Sequence, residues 1–349
     1  MTVLVTGGAG FVGTHIAEAL ATVPGHQRES VRVLDNFSAT GGAAAYPDWV
    51  EVVSGDVRDP DTVARCLDGV SSVCHQAAMV GLGVDLTDMP GYVDVNAGGT
   101  AVLLAAMARA GVSRLVLASS MVVYGEGAYT CLWHGGARPG PRARPDLAAG
   151  RFEPPCPHCG MQLAHATVDE AAPLDPRNTY ATTKLTQEHL AATWARETGG
   201  LAVALRYHNV YGPRMPRDTP YAGVAAIFRS ALAHGEPPRV FEDGHQLRDF
   251  VHVRDVARAN ARALEANLPH GQLHAYNIAS GQPRSVGDMA EALADAYGGP
   301  QPVVTGAYRL GDVRHIVAAP ELAASELNFT AEVPFEQGMK EFATELQPS

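Results

Sequence analysis

Tyr180 and Lys184 are the residues whose types and spacing most clearly predict chemistry. They lie in a segment whose pattern predicts a helix over 179–198, and a four-residue separation puts both side chains on one helix face. A free tyrosine has a pKa near ~10 and is a weak base at neutral pH, but a nearby ammonium and a bound cationic ring would lower that value. Ser120, at the end of a predicted strand, could bond a substrate oxygen. The three residues predict a proton-transfer site; a helix-surface pair is the alternative.

A glycine-rich turn lies between the first predicted strand and the first predicted helix, at residues 6–13. Its glycines satisfy G-x-G-x-x-G at Gly8, Gly10 and Gly13, and without a side chain at Gly10 a pyrophosphate can approach the helix N-terminus. Asp35 closes the next predicted strand. A carboxylate there accepts hydrogen bonds from ribose hydroxyls and repels a 2′-phosphate, so the pattern favours NAD over NADP. The alternative is a tight structural turn with an unrelated aspartate.

The rest of the predicted NAD site follows the ends of later strands. Asp56 and Val57 would flank the adenine, while Ala77 and Ala78 would line the path of the ribose and pyrophosphate. The predicted cofactor-binding residues are Gly7, Gly10, Phe11, Val12, Gly13, Asp35, Asn36, Asp56, Val57, Ala77, Ala78, Tyr180, Lys184, Tyr207 and Val210.

Strand and helix patterns alternate from the first residues, which predicts right-handed βαβ units and a parallel sheet. The predicted fold class is α/β: a Rossmann-type, doubly wound parallel sheet with a smaller C-terminal substrate lobe and a Cys-rich insertion. We expect an NAD-binding domain over 1–205 and a lobe over 206–349 that partly returns to the sheet. The predicted strands are 2–6, 31–34, 50–54, 70–76, 114–119, 201–207 and 275–279, and the predicted helices are 11–22, 92–110, 179–198 and 286–297.

Composition excludes several classes of protein. Of 349 residues 46% are apolar, which suits a large core and not a disordered chain. A net charge of −11 argues against nucleic-acid or anionic-membrane partners, which need a basic surface. The sequence has no apolar run near the ~20 residues of a membrane helix, and it opens without a signal-peptide pattern. Five cysteines without framework spacing predict a reducing, cytoplasmic location.

The insertion, residues 128–166, is rich in Gly, Pro, Arg and Cys. It contains a C-x2-H pair, Cys131 and His134, and a C-x2-C pair, Cys156 and Cys159, which together could close a tetrahedral Zn²⁺ site. So short a segment has little core of its own, and a zinc-ribbon-like structural metal would supply the missing stability. Two alternatives stay open: His158 or His165 as a competing ligand, and an exposed loop with free thiols.

Together the glycine turn, Ser120 and the Tyr180/Lys184 pair resemble the extended short-chain dehydrogenase/reductase family. Within that family the chain is most similar to NAD-dependent nucleotide-sugar 4-epimerases, of the UDP-galactose and dTDP-rhamnose type. The resemblance implies a nucleotide-diphosphate sugar as substrate and a homodimer joined through the predicted helices 92–110 and 179–198, whose outward faces carry Leu103, Ala106, His189 and Ala192. The substrate-binding residues it implies are Asn209, Arg248 and Arg309 at the diphosphate or nucleotide, and Val240 and Phe241 at the base.

The resemblance also implies a reaction. Tyr180 would take the proton of the sugar 4-hydroxyl while C4 gives a hydride to NAD, and the 4-keto sugar would turn over and take the hydride back. Related dehydratases have an Asp-Glu pair after the serine position, but here Met121 and Val122 stand there, which argues against dehydration. Decarboxylation of a uronate with Arg214 or Arg217 as a contact, reduction, and a non-catalytic NAD-sensing module remain as alternatives.

Overall fold

The computed structural model describes residues 2–22, 30–39, 46, 49–81, 85–216 and 223–344. In chain order, the strands are β1 Thr2–Thr6, β2 Ser30–Asp35, β3 Val50–Ser54, β4 Val70–His75, β5 Arg114–Ser120, β6 Ala128–Cys131, β7 Gly135–Ala137, β8 Ala164–Val168, β9 Leu201–Tyr207, β10 Asn209–Tyr211, β11 Arg239–Val240, β12 Leu247–His252, β13 Gln272–Ile278, β14 Pro283–Ser285, β15 Val303–Val304 and β16 Val317–Ala318. The helices are α1 Phe11–Thr22, α2 Pro60–Cys66, α3 Met89–Tyr92, α4 Gly99–Ala110, α5 Arg144–Ala148, α6 Thr179–Thr198, α7 Val224–Ala233, α8 Val253–Glu265, α9 Val286–Tyr297, α10 Glu321–Leu327 and α11 Phe335–Thr344.

A seven-stranded parallel sheet forms the centre of the molecule, in the order β13-β9-β5-β4-β1-β2-β3. The strand order reverses direction between β1 and β4, and ligands of such sheets bind at this point, beyond the carboxyl ends of the strands. The central strands β1, β5 and β9 are almost entirely buried because helices cover both faces of the sheet. Ile16 of α1 and Val256 of α8 pack on one face, and Val63 of α2 and Trp194 of α6 pack on the other. The predicted Rossmann-type α/β fold class is confirmed.

The predicted helix 92–110 is interrupted. A π-helical turn, Val93–Gly98, separates α3 from α4, which the apolar pattern did not reveal because the turn adds one residue without breaking the helix. Leu103 and Ala106 are buried in the core beside the sheet, so the expectation that these two residues lie on an outward face is wrong, whereas His189 of α6 is exposed and Ala192 is half-buried. Among the described residues, no helix combines the length and apolar composition that crossing a membrane requires.

The chain beyond β9 forms the C-terminal lobe and also adds strands to other sheets. A three-stranded sheet, β10-β12-β14, packs with α7, α9 and α11 around a second apolar core that includes Phe228, Phe250 and Met339. Between these elements β13 returns to the large sheet and pairs in parallel with β9. A small four-stranded sheet, in the order β16-β8-β6-β7, joins the Cys-rich segment to the chain near its C-terminal end.

Candidate active site

The three predicted catalytic residues lie together at the carboxyl end of the large sheet. Ser120 is the last residue of β5, and α6 begins beside it, capped by Asn178, whose Oδ1 accepts a 2.8 Å hydrogen bond from the Ala181 amide. Tyr180, half-buried in the first turn of α6, is hydrogen-bonded to Ser120. One turn further, the Lys184 Nζ lies 5.8 Å from the centre of the Tyr180 ring.

Burial controls the charge of both groups on α6. It raises the pKa of Tyr180 to about 12, and the hydrogen bond with Ser120 opposes that rise only in part. It lowers the pKa of Lys184 to about 7, while the carboxylate of Glu188 acts in the opposite direction. The protein's own groups therefore leave the pKa of Tyr180 raised, because removal from water disfavours the phenolate more than the neighbouring side chains favour it, whereas the predicted lowering includes the effect of a bound cationic ring.

Glu188 is a site-supporting residue that the sequence interpretation missed. Its carboxylate accepts from Arg206 at 3.0 Å and 2.8 Å and from the Ser119 hydroxyl, and all three residues are buried. Because Glu188 follows Lys184 by four residues, the same helical spacing that links Tyr180 and Lys184 could have revealed it. The Glu188–Arg206 pair ties α6 to β9, and the bond from Ser119 ties it to β5.

Asn96, in the π-helical turn, fastens α6 from the opposite side. Its Nδ2 donates to the Met79 carbonyl at 2.9 Å and to the Thr183 Oγ1 at 3.0 Å, and its Oδ1 accepts from the Met79 amide at 2.7 Å. Asn96 is fully buried and Thr183 lies between the two reactive residues of α6. These bonds set the distance between α6 and the loop after β4, which carries Ala77 and Ala78.

The glycine turn has the shape that a dinucleotide site requires. Gly7 has φ +66°, and a Cβ on it would come within 2.6 Å of the Ala77 amide nitrogen, so the turn passes close to the loop after β4. The Asp35 carboxylate, at the end of β2, accepts from the amides of Ala9 at 2.9 Å and Phe37 at 2.7 Å. A carboxylate held between the turn and the end of β2 suits a ribose, and these residues fit NAD.

Most of the remaining predicted cofactor residues lie at the edge of the sheet, but not all of them face a ligand. Gly10, Phe11, Val12, Ala77, Ala78 and Val210 are half-buried at the edge of the sheet, and the exposed Asn36 donates to the half-buried Asp56 at 2.9 Å. Two side chains depart from the prediction. Val57 is buried in the core, and the Tyr207 hydroxyl is bonded to Gln76 and Asn260 at 3.1 Å and 3.0 Å, so neither presents its side chain to a ligand. Gly13 is buried, and a Cβ there would meet the backbone of the glycine turn.

Three of the residues expected to bind substrate are available for binding. The buried Asn209 Oδ1 has no hydrogen-bond partner among the described residues, which is the state of a group that accepts from a ligand. Phe241 is exposed, and the Arg309 guanidinium lies 5.9 Å from the centre of its ring. Arg309 also pairs with Asp312 at 3.4 Å.

The other two are not. Val240 is completely buried in the core of the C-terminal lobe, because β11 turns its side chain inward, so its predicted contact with a base is corrected. The Arg248 guanidinium donates to the carbonyls of Leu247, Val313 and Arg314 at 2.8–2.9 Å. The nitrogens that were expected to contact a diphosphate are therefore used to hold residues 313–314.

Comparison with known proteins agrees with this geometry. Residues 3–134 and 159–279 match the model of the NAD dependent epimerase/dehydratase family. The chain belongs to that family. It is similar to the dTDP-L-rhamnose 4-epimerase of Burkholderia thailandensis, at 34% identity over 98% of this chain and 94% of the relative. The predicted resemblance to NAD-dependent nucleotide-sugar epimerases is confirmed.

Solved structures of the family have the same fold. The UDP-glucose 4-epimerase of Thermotoga maritima with UDP-glucose has a TM-score of 0.79 and 26% identity, over 98% of this chain and 97% of that one. The UDP-glucose 4-epimerase of Thermus thermophilus, in complex with NAD, has a TM-score of 0.77 and 31% identity, over 98% of each chain.

Residues 135–158 are outside the family match, and this part of the chain completes a cluster of possible metal ligands. One ligand atom from each of Cys131, His134, Cys156 and Cys159 lies within 4.8 Å of all the others. The Cys131 Sγ is 3.5 Å from the His134 Nδ1 and 3.7 Å from the Cys159 Sγ, too far for a disulfide. The competing candidates are not members of the cluster: the His158 ring lies beside that of His134 at a tilt of 49°, and the His165 ring lies beside that of His315 at a tilt of 44°.

Two features of the cluster suit a soft divalent metal. The pKa of the Cys156 thiol is lowered to about 6, chiefly by hydrogen bonds from the His158 and Cys159 amides acting against burial, and backbone hydrogen bonds also lower the pKa of Cys131. The pKa of Cys159 is raised, because the backbone hydrogen bond to it is outweighed by burial and the other two thiols. Three sulfurs and one imidazole form a complete tetrahedral set without an open position, which is typical of structural zinc.

Proposed function

We propose that the protein is an NAD-dependent 4-epimerase of a nucleotide-diphosphate hexose. The observation that carries the proposal is the meeting of Ser120, Tyr180 and Lys184 at the carboxyl end of the sheet, without an acidic pair after the serine. Met121 and Val122 occupy the short 3₁₀ turn that follows Ser120. Neither side chain can transfer a proton, so the site supports proton removal from a hydroxyl but not the loss of water.

The chain's residues would divide the work as follows. The glycine turn and the N-terminus of α1 would hold the pyrophosphate of NAD, and Asp35 would accept from the adenosine ribose. When bound, NAD supplies the chemistry of taking up a hydride and returning it. The Tyr180 phenolate would take the proton of the sugar 4-hydroxyl, the resulting phenol would give it back, and Ser120 would share that proton path through its hydrogen bond to Tyr180.

The charge balance of the site makes the base dependent on the cofactor. The pKa of Tyr180 is raised to about 12 and that of Lys184 is lowered to about 7, so the side chains alone leave the phenol protonated at neutral pH. A positive ring beside Tyr180 would favour the phenolate and lower its pKa. The tyrosine would thus become a base when oxidised cofactor is present, which limits proton abstraction to the loaded enzyme.

The nucleotide end of the substrate would lie against the C-terminal lobe. Asn209 offers a buried acceptor, and the exposed ring of Phe241 with the Arg309 guanidinium offers a surface on which a base and a phosphate could rest. Arg248 would act from behind, by holding the 313–314 segment in place.

A panel of UDP- and dTDP-hexoses incubated with the purified protein tests the proposal. We expect the 4-epimer of at least one sugar, with no net change in the NAD redox state. Accumulation of a 4-keto-6-deoxy sugar would instead show a dehydratase, and loss of CO₂ from a uronate would show a decarboxylase. Arg214 and Arg217 were the expected contacts for the carboxylate of a uronate. Arg214 pairs with Glu18 at 2.7 Å, and Arg217 lies outside the described residues. An NAD-sensing module would convert none of the sugars.

We further infer that Cys131, His134, Cys156 and Cys159 hold a structural Zn²⁺. The small core of this segment, which includes Tyr129 and Leu163, is too limited to fix the chain without a cross-link. All five cysteines are free, and reduced thiols fit the cytoplasmic location expected from composition. Elemental analysis of the purified protein should find about one zinc per chain.

We also propose a homodimer, and we place its contact surface on residues other than Leu103 and Ala106. Leu86, Met89 and Val93, around α3, are exposed large apolar residues, unlike the buried Leu103 and Ala106. A cluster of this kind near the first helix of the predicted pair is what a subunit contact would cover. Light scattering coupled to size-exclusion chromatography should give twice the 36.7 kDa chain mass, and Val93→Asp should return the mass of one chain.

A further inference from the structure

We propose that the Cys-rich segment positions the nucleotide-binding loop through a buried network of alternating charges. The segment comprises residues 128–166, and the loop, residues 239–244, carries Phe241. This inference rests on the proposed function, since it assumes that the Phe241 and Arg309 surface receives the nucleotide. It assigns to the segment a role in substrate binding beyond its metal.

The first connection is made by Arg142 of the segment. Its guanidinium pairs with the Glu242 carboxylate at 2.8 Å, and both side chains are at least 95% buried. The same guanidinium donates to the carbonyls of Asp312 at 2.7 Å and Phe152 at 3.3 Å. A planar group with five donors can hold three acceptors in fixed directions, which a lysine could not do. Arg142 therefore links the segment to the loop and to the chain just after Arg309.

The second connection runs through Arg314, which is 1% exposed. It pairs with Glu153 of the segment at 2.6 Å, with Glu242 at 2.9 Å and with Asp243 at 2.7 Å. Glu242 thus lies between two arginines, one from the segment and one from the C-terminal lobe. The network joins three pieces of chain that are far apart in sequence.

A third set of bonds starts from Glu126, just before the segment. Its carboxylate accepts from the Arg314 amide at 2.6 Å and from the Tyr129 hydroxyl at 2.9 Å. The Tyr129 hydroxyl accepts in turn from the His315 amide at 3.1 Å, and Glu153 bonds the His315 ring at 2.8 Å. Side chains and backbone of 314–315 are therefore held by the segment at the same time.

The backbone of the loop shows why it needs this support. Glu242 has φ +53°, a left-handed conformation that is unfavourable for a residue with a side chain. Its amide donates to the Ala307 carbonyl at 2.7 Å, and its carboxylate is held by both arginines. The residue before it, Phe241, is turned to the surface beneath Arg309. The ion pairs on Glu242 thus fix the orientation of the ring that would meet the base.

Buried ion pairs are weak sources of stability compared with apolar packing, but they are sensitive to geometry. A network of this kind is therefore better suited to fixing one arrangement of the loop than to holding the fold together. The NAD site uses other contacts, from the glycine turn to Leu34 and from Asp35 to Ala9. Loosening the network should impair nucleotide binding and leave NAD binding unchanged.

Arg142→Met tests the inference, because methionine keeps the apolar stem and removes the guanidinium. We expect the Kd for UDP and for dTDP, measured by isothermal titration calorimetry on the NAD-loaded protein, to rise at least about tenfold, since truncating one partner of a buried pair is costly. NAD and zinc content per chain should match those of the wild type. Arg151→Met is the matched control, because Arg151 is an exposed arginine of the same segment that pairs with Asp146 at its surface; its Kd should not change.

Arg142→Met removes one of the two arginines that pair with the buried Glu242 carboxylate, which could destabilise the fold. A second variant therefore separates a positioning role from misfolding. Arg142→Met/Glu242→Gln removes both charges and should fold with a near-normal Tm while still binding the probes about tenfold more weakly. With the sugar identified by the panel, KM should rise in both variants while kcat at saturation stays within about twofold of the wild type.

The outcomes distinguish this inference from the proposed function. If the wild type binds UDP or dTDP and the double variant binds it equally well, the positioning role is wrong and the epimerase proposal stands. A fall in kcat and Tm without any change in Kd or KM would show a purely structural network and would also overturn the inference. If the wild type binds neither probe, the proposed function fails and the positioning role fails with it.

Discussion

The Nζ of Lys184 donates a 2.9 Å hydrogen bond to the backbone carbonyl of Ala118. This bond fastens α6 to β5 two residues before Ser120, so the lysine sets the position of the tyrosine and the serine relative to each other. The Lys184 amine therefore has two roles: it holds α6 against β5 through this hydrogen bond, and its charge acts on Tyr180. A lysine with its pKa lowered to about 7 by burial makes this link sensitive to the charge of its surroundings.

Tyr180→Phe should reduce turnover of the identified sugar by about 10²–10⁴-fold, the usual contribution of a positioned acid–base group. NAD content should remain near that of the wild type, since the ring is retained. Tyr92→Phe is the matched control: its ring centre is 6.2 Å from that of Tyr180, but its hydroxyl donates to the carbonyls of Val80 and Gly81. Full activity in Tyr180→Phe, measured by chromatography of the epimers, would remove the tyrosine from the mechanism.

The pH dependence of the reaction should shift when Ser120 is replaced by alanine. The Ser120 hydrogen bond lowers the pKa of Tyr180, so its loss raises that pKa further. Below the pKa, the phenolate fraction falls tenfold for each unit by which the pKa rises. The rising limb of kcat/KM should therefore move to higher pH in Ser120→Ala, and activity at neutral pH should drop.

Thr182→Ala provides the control for that profile, because Thr182 is exposed on the same helix and its hydroxyl bonds the Asn178 carbonyl. Its rising limb should coincide with that of the wild type. An unshifted limb in Ser120→Ala would mean that the serine does not influence the base.

Much of the scaffold was predictable because its periodicity is strong. The helices 11–22, 179–198 and 286–297 and the strands 50–54 and 201–207 have the predicted bounds. Apolar runs and capping residues determine such elements locally, as Asn178 does at the start of α6. The chemistry on α6 followed from the same regularity, since a four-residue spacing fixes which side chains share a face.

Tertiary burial was the part that the sequence could not provide. Val240 was expected to meet a ligand, but β11 places it inside the lobe. The rise in the pKa of Tyr180 was not predictable in the same way, because the burial that causes it depends on residues distant in sequence. Likewise Arg142 and Glu242 are ordinary charges until the fold joins residues that are about 100 positions apart.

Asp35→Asn should weaken NAD binding and reduce the preference for NAD over NADP. The asparagine keeps only one acceptor for the Ala9 and Phe37 amides and for a ribose hydroxyl, so we expect a Kd for NAD about tenfold higher, equivalent to about 1.4 kcal/mol. NADP should bind relatively better, because the charge that repels a 2′-phosphate is gone. Titrations with both dinucleotides measure the ratio. Asp61→Asn, at an exposed aspartate of α2, should change neither Kd, and an unchanged ratio in Asp35→Asn would exclude the assigned role.

Cys156→Ser should abolish zinc binding and lower the thermal stability of the protein. Serine is a poor zinc ligand, and three remaining ligands no longer close the tetrahedral set. Because the metal replaces an apolar core in this segment, its loss should lower Tm by several degrees, which differential scanning calorimetry can resolve. His158→Ala is the matched control, since the centre of this histidine ring lies 5.2 Å from that of His134 but His158 is not a member of the four-residue cluster. It should keep about one zinc per chain and nearly the wild-type Tm. A wild-type protein that is freed of zinc and still melts at the temperature of the untreated wild type would contradict the metal assignment.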